Sequence, residues 1–182
     1  MLEREVKLAF TSSDEARAAF AAARATPLRP RRLQRDVLFD TPDQQLRLRG
    51  CALRVRHEHG SGVLTFKGPV AAATMKVREE IETGVRDPAS LQQLLEALGF
   101  HPWFTYEKER EEFELAGVVA AIDDTPVGTF VELEGAEDRI LEATSLLHRQ
   151  PEDFILASYR SLFLSRRDEW QIGGDDMVFA RP

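Results

Sequence analysis

The chain begins MLEREVKL (residues 1–8), in which charged and apolar residues nearly alternate. Successive side chains of an extended strand point to opposite faces, so Glu3, Glu5 and Lys7 share one face. The other face is apolar apart from Arg4. A polar face of this kind ordinarily faces water. The alternative is a barrel with a polar interior, where two carboxylates and an ammonium group would hold a divalent metal and an anionic substrate.

Length and composition restrict the class of protein. With 182 residues, 43% hydrophobic and 30% charged, the chain is expected to form one globular domain. Its net charge of -7 argues against a general nucleic-acid or membrane-surface binder. Cys51 is the only cysteine, so no disulfide framework or cysteine zinc site is expected. Without a spanning apolar run or a secretory segment, a cytoplasmic location is the default.

Other segments repeat the alternation of the first strand. In LRVR (residues 53–56) the arginines share a face, and in VELE (residues 131–134) the glutamates do. Short strands linked by hairpin turns favour a closed antiparallel barrel or a sandwich. A barrel would bring the charged faces together, whereas a sandwich would expose them. The predicted strands are residues 1–8, 33–39, 53–56, 63–67, 75–83, 104–115, 118–123 and 129–134.

Helices and loops complete the predicted organisation. Apolar residues at helical spacing predict helices at 14–24, 88–98, 136–148 and 153–164, the second capped by Asp87. Pro27 and Pro30 predict a loop, in which Arg29, Arg31 and Arg32 would be solvated. Residues 167–182 have no clear period and are not assigned.

The charged faces have a defined chemistry. Carboxylates in E-x-E pairs are oxygen ligands for a hard cation, and basic side chains in excess of them favour an anion such as a linear polyphosphate. The alternative is a set of exposed ion pairs, each worth about 0–1 kcal/mol. Periodicity alone does not distinguish a site for metal and polyphosphate from a set of exposed ion pairs. The carboxylates are Glu3, Glu5, Glu80, Glu82, Glu132 and Glu134, and the bases are Lys7, Arg54, Arg56, Lys67, Lys76, Arg78, Lys108 and Arg110.

An ordered set of motifs resembles the CYTH superfamily, the triphosphate tunnel metalloenzymes. It consists of EREVK, FDTPDQQLRLRGCALRVR, LTFKGP, REEIET, EKEREEF, DDTPVGTFVELEG and SYRSLFL, in the family's order. The resemblance covers residues 1–164, so a domain over 1–166 and a C-terminal tail over 167–182 are expected. It implies an α+β fold: an eight-stranded antiparallel β-barrel, forming a tunnel, with flanking helices.

The resemblance also implies the roles of individual residues. The eight bases named above would bind a triphosphate, and Mg²⁺ or Mn²⁺ would be held by Glu3, Glu5, Asp123, Glu132 and Glu134. Glu5, Lys67 and Glu132 are expected to be catalytic. The partner would be a small-molecule triphosphate (inorganic triphosphate, ATP or thiamine triphosphate), with no nucleic acid or membrane involved. The protein would be a monomer or homodimer.

Activities of the family include triphosphate hydrolysis and the cyclisation of ATP to cyclic AMP by class IV adenylyl cyclases. Some tunnel hydrolases carry a tyrosine just before the Asp-Thr turn, paired with the lysine that matches Lys67. Here Leu38 and Phe39 occupy the two candidate positions, which disfavours thiamine triphosphate. Hydrolysis of inorganic triphosphate or a related organic triphosphate is the favoured hypothesis. The alternatives are a cyclase, whose base pocket the sequence does not identify, and a non-catalytic polyphosphate-binding module.

Overall fold

The computed structural model describes residues 2–71, 74–170 and 173–180. Within these ranges eight strands form a closed antiparallel barrel in the order β1-β5-β4-β3-β2-β6-β7-β8, which confirms the predicted fold class. Met1 of the predicted first strand lies outside the described residues. The strands are β1 (Leu2–Phe10), β2 (Thr26–Asp40), β3 (Ala52–Glu58), β4 (Ser61–Lys67), β5 (Lys76–Val85), β6 (His101–Leu115), β7 (Val118–Thr125) and β8 (Gly128–Glu134).

Five α-helices flank the barrel in the described part of the chain: α1 (Ser13–Ala22), α2 (Gln45–Leu48), α3 (Pro88–Ala97), α4 (Glu137–Leu146) and α5 (Tyr159–Arg166). A 3-10 turn spans Pro151–Asp153. No helix among the described residues has both the length and the apolarity that crossing a membrane requires.

The largest apolar core lies outside the barrel wall. Outward side chains of β1, β7 and β8, among them Leu8 and Leu133, pack with Phe20 of α1 and Ile140 of α4, and all four are almost fully buried. Alternation makes this possible, because each strand places apolar residues against the helices and charged residues inside. The interior therefore remains available for polar chemistry.

β1 closes the barrel by pairing with two neighbours. Leu2 to Glu5 pair with β5, and Glu5 to Phe10 pair with β8. The register places Glu3 opposite Arg78, and Lys7 opposite Glu132. The first and last strands of the barrel thus bring their E-x-E pairs together.

The loop predicted around Pro27 and Pro30 is wrong, because these residues form the first half of β2. The pairing of β2 with β6 is irregular there, with register shifts on both sides of Arg29. Such irregularities tolerate proline, which has no backbone N–H to donate. Arg32 is not solvated but buried, with its guanidinium against Glu58 and Glu112.

The helix predicted over 153–164 begins only at Tyr159, where the Ser158 side chain caps it by accepting the Ser161 N–H. Before it, Ile155 pairs with the backbone of Lys7, which keeps the chain extended. The tail also contributes to the fold. Met177 forms a parallel bridge to Tyr106 and is fully buried.

Candidate functional site

The barrel encloses a cavity of about 1160 Å³. Many of its lining side chains are charged, since the inward positions of β1, β3 and β5 are mostly acidic or basic and β6 and β8 add further charged residues. The eight bases singled out in the sequence line it: Lys7, Arg54, Arg56, Lys67, Lys76, Arg78, Lys108 and Arg110. Four of the five candidate metal ligands line the same cavity: Glu3, Glu5, Glu132 and Glu134. The charged faces therefore point inward.

Lysines and arginines already contact the first-strand carboxylates. Lys67 donates to both oxygens of Glu3, at 2.8 and 3.0 Å, and Arg78 donates to Glu3 at 3.2 Å. Glu5 accepts from Lys76 and, at 3.3 Å, from Lys7. These contacts join β1 to β4 and β5 across the seam of the barrel.

The last-strand carboxylates differ from one another. Glu132 lies 3.0 Å from the Lys7 ammonium and also contacts Arg110. Glu134 has no lysine or arginine within 4.0 Å among the described residues. Burial raises its pKa, and the nearby carboxylates of Glu3 and Glu5 raise it further. An added cation would therefore relieve repulsion between Glu134 and the carboxylates of Glu3 and Glu5.

Asp123 occupies a different position from the other candidate ligands. It is fully buried and is absent from the cavity lining that the described residues form. Its carboxylate accepts from Lys108 at 2.8 Å, from Arg110 at 2.7 Å and from the Tyr159 hydroxyl at 2.6 Å. This arrangement holds the two bases in place from behind, and the metal-ligand role stays a prediction.

Asp36 was not singled out in the sequence but belongs to the site. It is fully buried on β2 and accepts two hydrogen bonds from Arg56, at 2.8 and 3.1 Å, while Arg54 lies 3.6 Å away. Although burial opposes ionisation, Arg56 and Arg54 hold the pKa of Asp36 well below its usual range. The only signal was a single acidic residue in the predicted strand 33–39, between Arg35 and Val37.

Both tyrosines of the chain also line the cavity, although neither lies before the Asp-Thr turn. The ammonium groups of Lys7 and Lys108 lie 5.1 and 5.0 Å from the centre of the Tyr159 ring, within the range of cation–π attraction. Tyr106 neighbours Asp36 across the β2–β6 pairing. Tyr106 shares the inward face of β6 with Lys108, whereas Tyr159 reaches the cavity because α5 folds back onto the barrel. Sequence reasoning singled out neither tyrosine.

Lys67 has acidic neighbours rather than a tyrosine. Besides Glu3, its ammonium lies 2.7 Å from Glu80. Burial and a hydrogen bond with Glu3 raise the pKa of Glu80 to about 8. At the two positions before the turn, Leu38 lines the cavity and Phe39 is buried in a core with Val37 and Val55. Where some tunnel hydrolases carry a tyrosine, this chain therefore has apolar side chains.

Burial lowers the pKa of two of the cavity lysines. For Lys76, burial and the neighbouring Lys7 lower the pKa to about 8. For Lys108, burial and the neighbouring Arg110 also lower the pKa to about 8. Perturbations of this size are typical of sites that bind or transform charged ligands.

The cavity fits a divalent metal by its donor chemistry. The four lining glutamates are oxygen donors of the kind that Mg²⁺ and Mn²⁺ prefer. The raised pKa of Glu134 marks a local excess of negative charge there. A ready-made group of three or more ligands is absent from the described residues, because Glu3, Glu5 and Glu132 are turned towards lysines and arginines. Metal binding would require these carboxylates to exchange partners.

Comparison with known proteins gives consistent matches. The family model for the CYTH domain matches residues 1–158. A Methanocaldococcus jannaschii protein named "Putative adenylate cyclase" is 34% identical over 123 residues, covering 67% of this chain and 70% of that protein.

Solved structures share the fold. That of a Vibrio parahaemolyticus "putative adenylate cyclase" has a TM-score of 0.79 at 20% identity, covering 90% of this chain and 98% of that one. That of a Hippeastrum protein, named a "putative adenylyl cyclase" with "a dominant triphosphatase activity", has a TM-score of 0.66 at 20% identity, covering 90% and 95%.

Proposed function

Because the chain belongs to the CYTH family, we propose that it is a metal-dependent enzyme that hydrolyses a short triphosphate inside its barrel, with inorganic triphosphate as the leading substrate. One observation carries the proposal. Eight basic side chains converge on a single cavity that also contains the E-x-E pairs of the first and last strands. Basic groups suit phosphate oxygens, and carboxylate pairs suit a hard cation.

The bases bind the substrate in this proposal. The guanidinium groups of Arg54, Arg56, Arg78 and Arg110 present paired donors to phosphate oxygens, and the lysines add compact positive charge. Each of the eight bases already contacts a carboxylate, so the phosphates take over contacts that Glu and Asp side chains make in the free protein. Such fixed donors stabilise charge on the transferring phosphoryl group.

The carboxylates hold the cation. A divalent metal bound by Glu3, Glu5, Glu132 and Glu134 would neutralise phosphate charge and acidify a bound water. Although burial opposes ionisation of Glu5, the neighbouring Lys7 and Lys76 hold the pKa of this carboxyl well below its usual range. Glu5 is therefore ionised at neutral pH, as a ligand must be. Lys67, held between Glu3 and Glu80, is placed to donate to a phosphate beside the same carboxylates.

A second candidate is adenylyl cyclase activity, which the name of the Methanocaldococcus jannaschii relative favours. The same bases and carboxylates would bind ATP. The nucleophile would then be the ribose 3′-hydroxyl, which attacks the α-phosphorus as pyrophosphate leaves.

One assay separates these functions. The protein is incubated with inorganic triphosphate, ATP and thiamine triphosphate, each with Mg²⁺ or Mn²⁺, and phosphate, pyrophosphate and cyclic AMP are quantified. Phosphate from inorganic triphosphate supports the proposal. Cyclic AMP formed faster than phosphate selects the cyclase, and tight binding without turnover selects a polyphosphate-binding module. Glu132→Gln is the control, because loss of its charge should abolish turnover while circular dichroism remains unchanged.

A further inference from the structure

A β-bulge at the start of β6 turns Trp103 towards the cavity. Leu38 of β2 pairs with Phe104, but the next residue, Phe39, pairs with Pro102, so Trp103 is an extra residue with no partner opposite. Strict alternation would direct Trp103 outward, since Phe104 and Tyr106 line the cavity. Bulges re-aim side chains in this way. Trp103 consequently lines the cavity as well.

Two arginines lie against the indole of Trp103. The guanidinium carbon of Arg47 is 4.2 Å from the ring centre, and that of Arg160 is 5.0 Å away. Arg47 is fixed, because its Nε donates to Asp40 at 3.2 Å and Asp40 also accepts the Leu46 and Arg47 N–H groups. Arg160, in the first turn of α5, has no acidic residue within 4.0 Å in the described ranges. It is half-buried and able to move away from the ring.

A continuous row of aromatic rings joins Trp103 to the phosphate-binding bases. The centres of successive rings are 6.0 Å apart from Trp103 to Phe104, 5.9 Å from Phe104 to Tyr106, and 6.0 Å from Tyr106 to Tyr159. Tyr159 lies against Lys7 and Lys108. The cavity lining also includes the exposed apolar residues Val70 and Leu156. The part of the cavity at Trp103 suits a flat uncharged group more than a phosphate.

We propose that Trp103 is the stacking platform for the aromatic ring of an organic triphosphate, a nucleobase being the chemical group that fits. The inference rests on the proposed function, since it assumes that the basic part of the cavity holds the phosphates. Arg160 moves off the indole to admit the ring, and Arg47 supports the indole in place. Inorganic triphosphate uses the bases alone, whereas a nucleoside triphosphate uses the bases and Trp103.

Steady-state kinetics test the inference through the ratio of kcat/KM values for two substrates. For Trp103→Ala, kcat/KM for ATP divided by kcat/KM for inorganic triphosphate falls about tenfold, the scale of one base–aromatic stack. Trp103→Phe restores most of the ratio because it keeps a flat ring, and Trp103→Leu does not. The exposed Trp170 provides the control, since Trp170→Phe leaves the ratio unchanged. An unchanged ratio in Trp103→Ala overturns the inference.

Fluorescence tests the same contact without turnover. The chain has two tryptophans, so Trp170→Phe leaves Trp103 as the only indole. ATP mixed rapidly with this variant and Mg²⁺ quenches the emission before product forms, and inorganic triphosphate does not. Equal effects of the two ligands, or no effect of ATP, contradict the stacking. If neither compound is hydrolysed but ATP alone quenches Trp103, the proposed function fails and this inference stands.

Discussion

At the scale of single residues, Asp36 supports two buried arginines. Replacing Asp36 with Asn removes the buried carboxylate that Arg54 and Arg56 share, which should cost about 3–5 kcal/mol in the free energy of unfolding. Because the folded pKa of Asp36 is depressed, its stabilisation is present above the unfolded pKa of about 3.9 and is lost as pH falls below it. Urea unfolding of both proteins should therefore show a difference that shrinks below about pH 4.

The exposed Asp168 supplies a matched control for that experiment. Asp168→Asn should change stability little at any pH, since its contact with Arg167 is long and solvated. The comparison is made at about pH 3 and about pH 7, on either side of the unfolded pKa. If wild type and Asp36→Asn differed by the same free energy of unfolding at both pH values, the ion pairs described would be ruled out.

Glu134 allows metal binding to be separated from ion pairing. Glu134→Gln removes a charge that contacts no lysine or arginine within 4.0 Å in the described residues, and it relieves repulsion with Glu3 and Glu5. Thermal stability without metal should be equal or higher, while the Mg²⁺ concentration for half-maximal activity should rise. The control is Glu79→Gln on the exposed side of β5. An unchanged Mg²⁺ requirement would remove Glu134 from the set of proposed ligands.

Residues differ in how well the sequence predicts them. The E-x-E pairs and the paired arginines were predictable, because spacing by two fixes a common face of a strand. Asp36 is the only acidic residue of the predicted strand 33–39 and so forms no pattern, and Trp103 faces the cavity only through a bulge. Tyr159 reaches the cavity from a helix. Alternation describes regular strands, so it gives no information on Trp103 or Tyr159.

At the scale of elements, the tail completes the barrel wall beside β6. Thr105 receives the Met177 N–H at 3.0 Å, Glu107 donates its N–H to Met177 at 2.8 Å, and Asp176 accepts the Thr105 N–H at 2.7 Å. Met177 is fully buried with Phe104 and Phe163. The tail had no periodicity because a single bridge needs only one suitably placed apolar residue.

Met177→Ala should therefore destabilise the fold by about 2–5 kcal/mol, as expected for truncating a buried methionine. Chemical denaturation measures the loss. Trp170→Ala, about half exposed in the segment just before, should cost much less. If both substitutions had equally small effects, the tail would not be part of the stable wall.

The strands were more predictable than the segments between them. Strong alternation identified β1, β5 and β8 closely, whereas the first half of β2 resembled a loop because of its prolines. The pairing partner of that half is β6, far along the chain, and long-range pairing overrides local preference.

At the scale of the whole molecule, the basic side chains of the cavity are paired with carboxylates before any ligand binds. Every predicted phosphate-binding base contacts at least one carboxylate. A cation that takes the carboxylates should release the bases, so metal and triphosphate should bind cooperatively. We expect Mg²⁺ to raise the affinity for inorganic triphosphate at least tenfold, a coupling of about 1.4 kcal/mol.

Calorimetric titrations with and without Mg²⁺, corrected for Mg²⁺ bound by free triphosphate, measure this coupling. Thermodynamic linkage requires that triphosphate raise the affinity for Mg²⁺ by the same factor. The coupling should weaken in Glu134→Gln. Equal triphosphate affinity in both buffers would show that the bases do not depend on the carboxylates changing partners.

The closure of the barrel by β1 has a consequence for synthesis of the protein. β1 is synthesised before the other seven barrel strands and pairs with β5 and with β8, so the sheet cannot close until β8 has emerged. Until then β1 and β7, the two partners of β8, expose unpaired backbone edges, which attract other chains. The glutamates of β1 and β8 meet at that seam, so the last step of folding is also the step that assembles the carboxylates of the cavity.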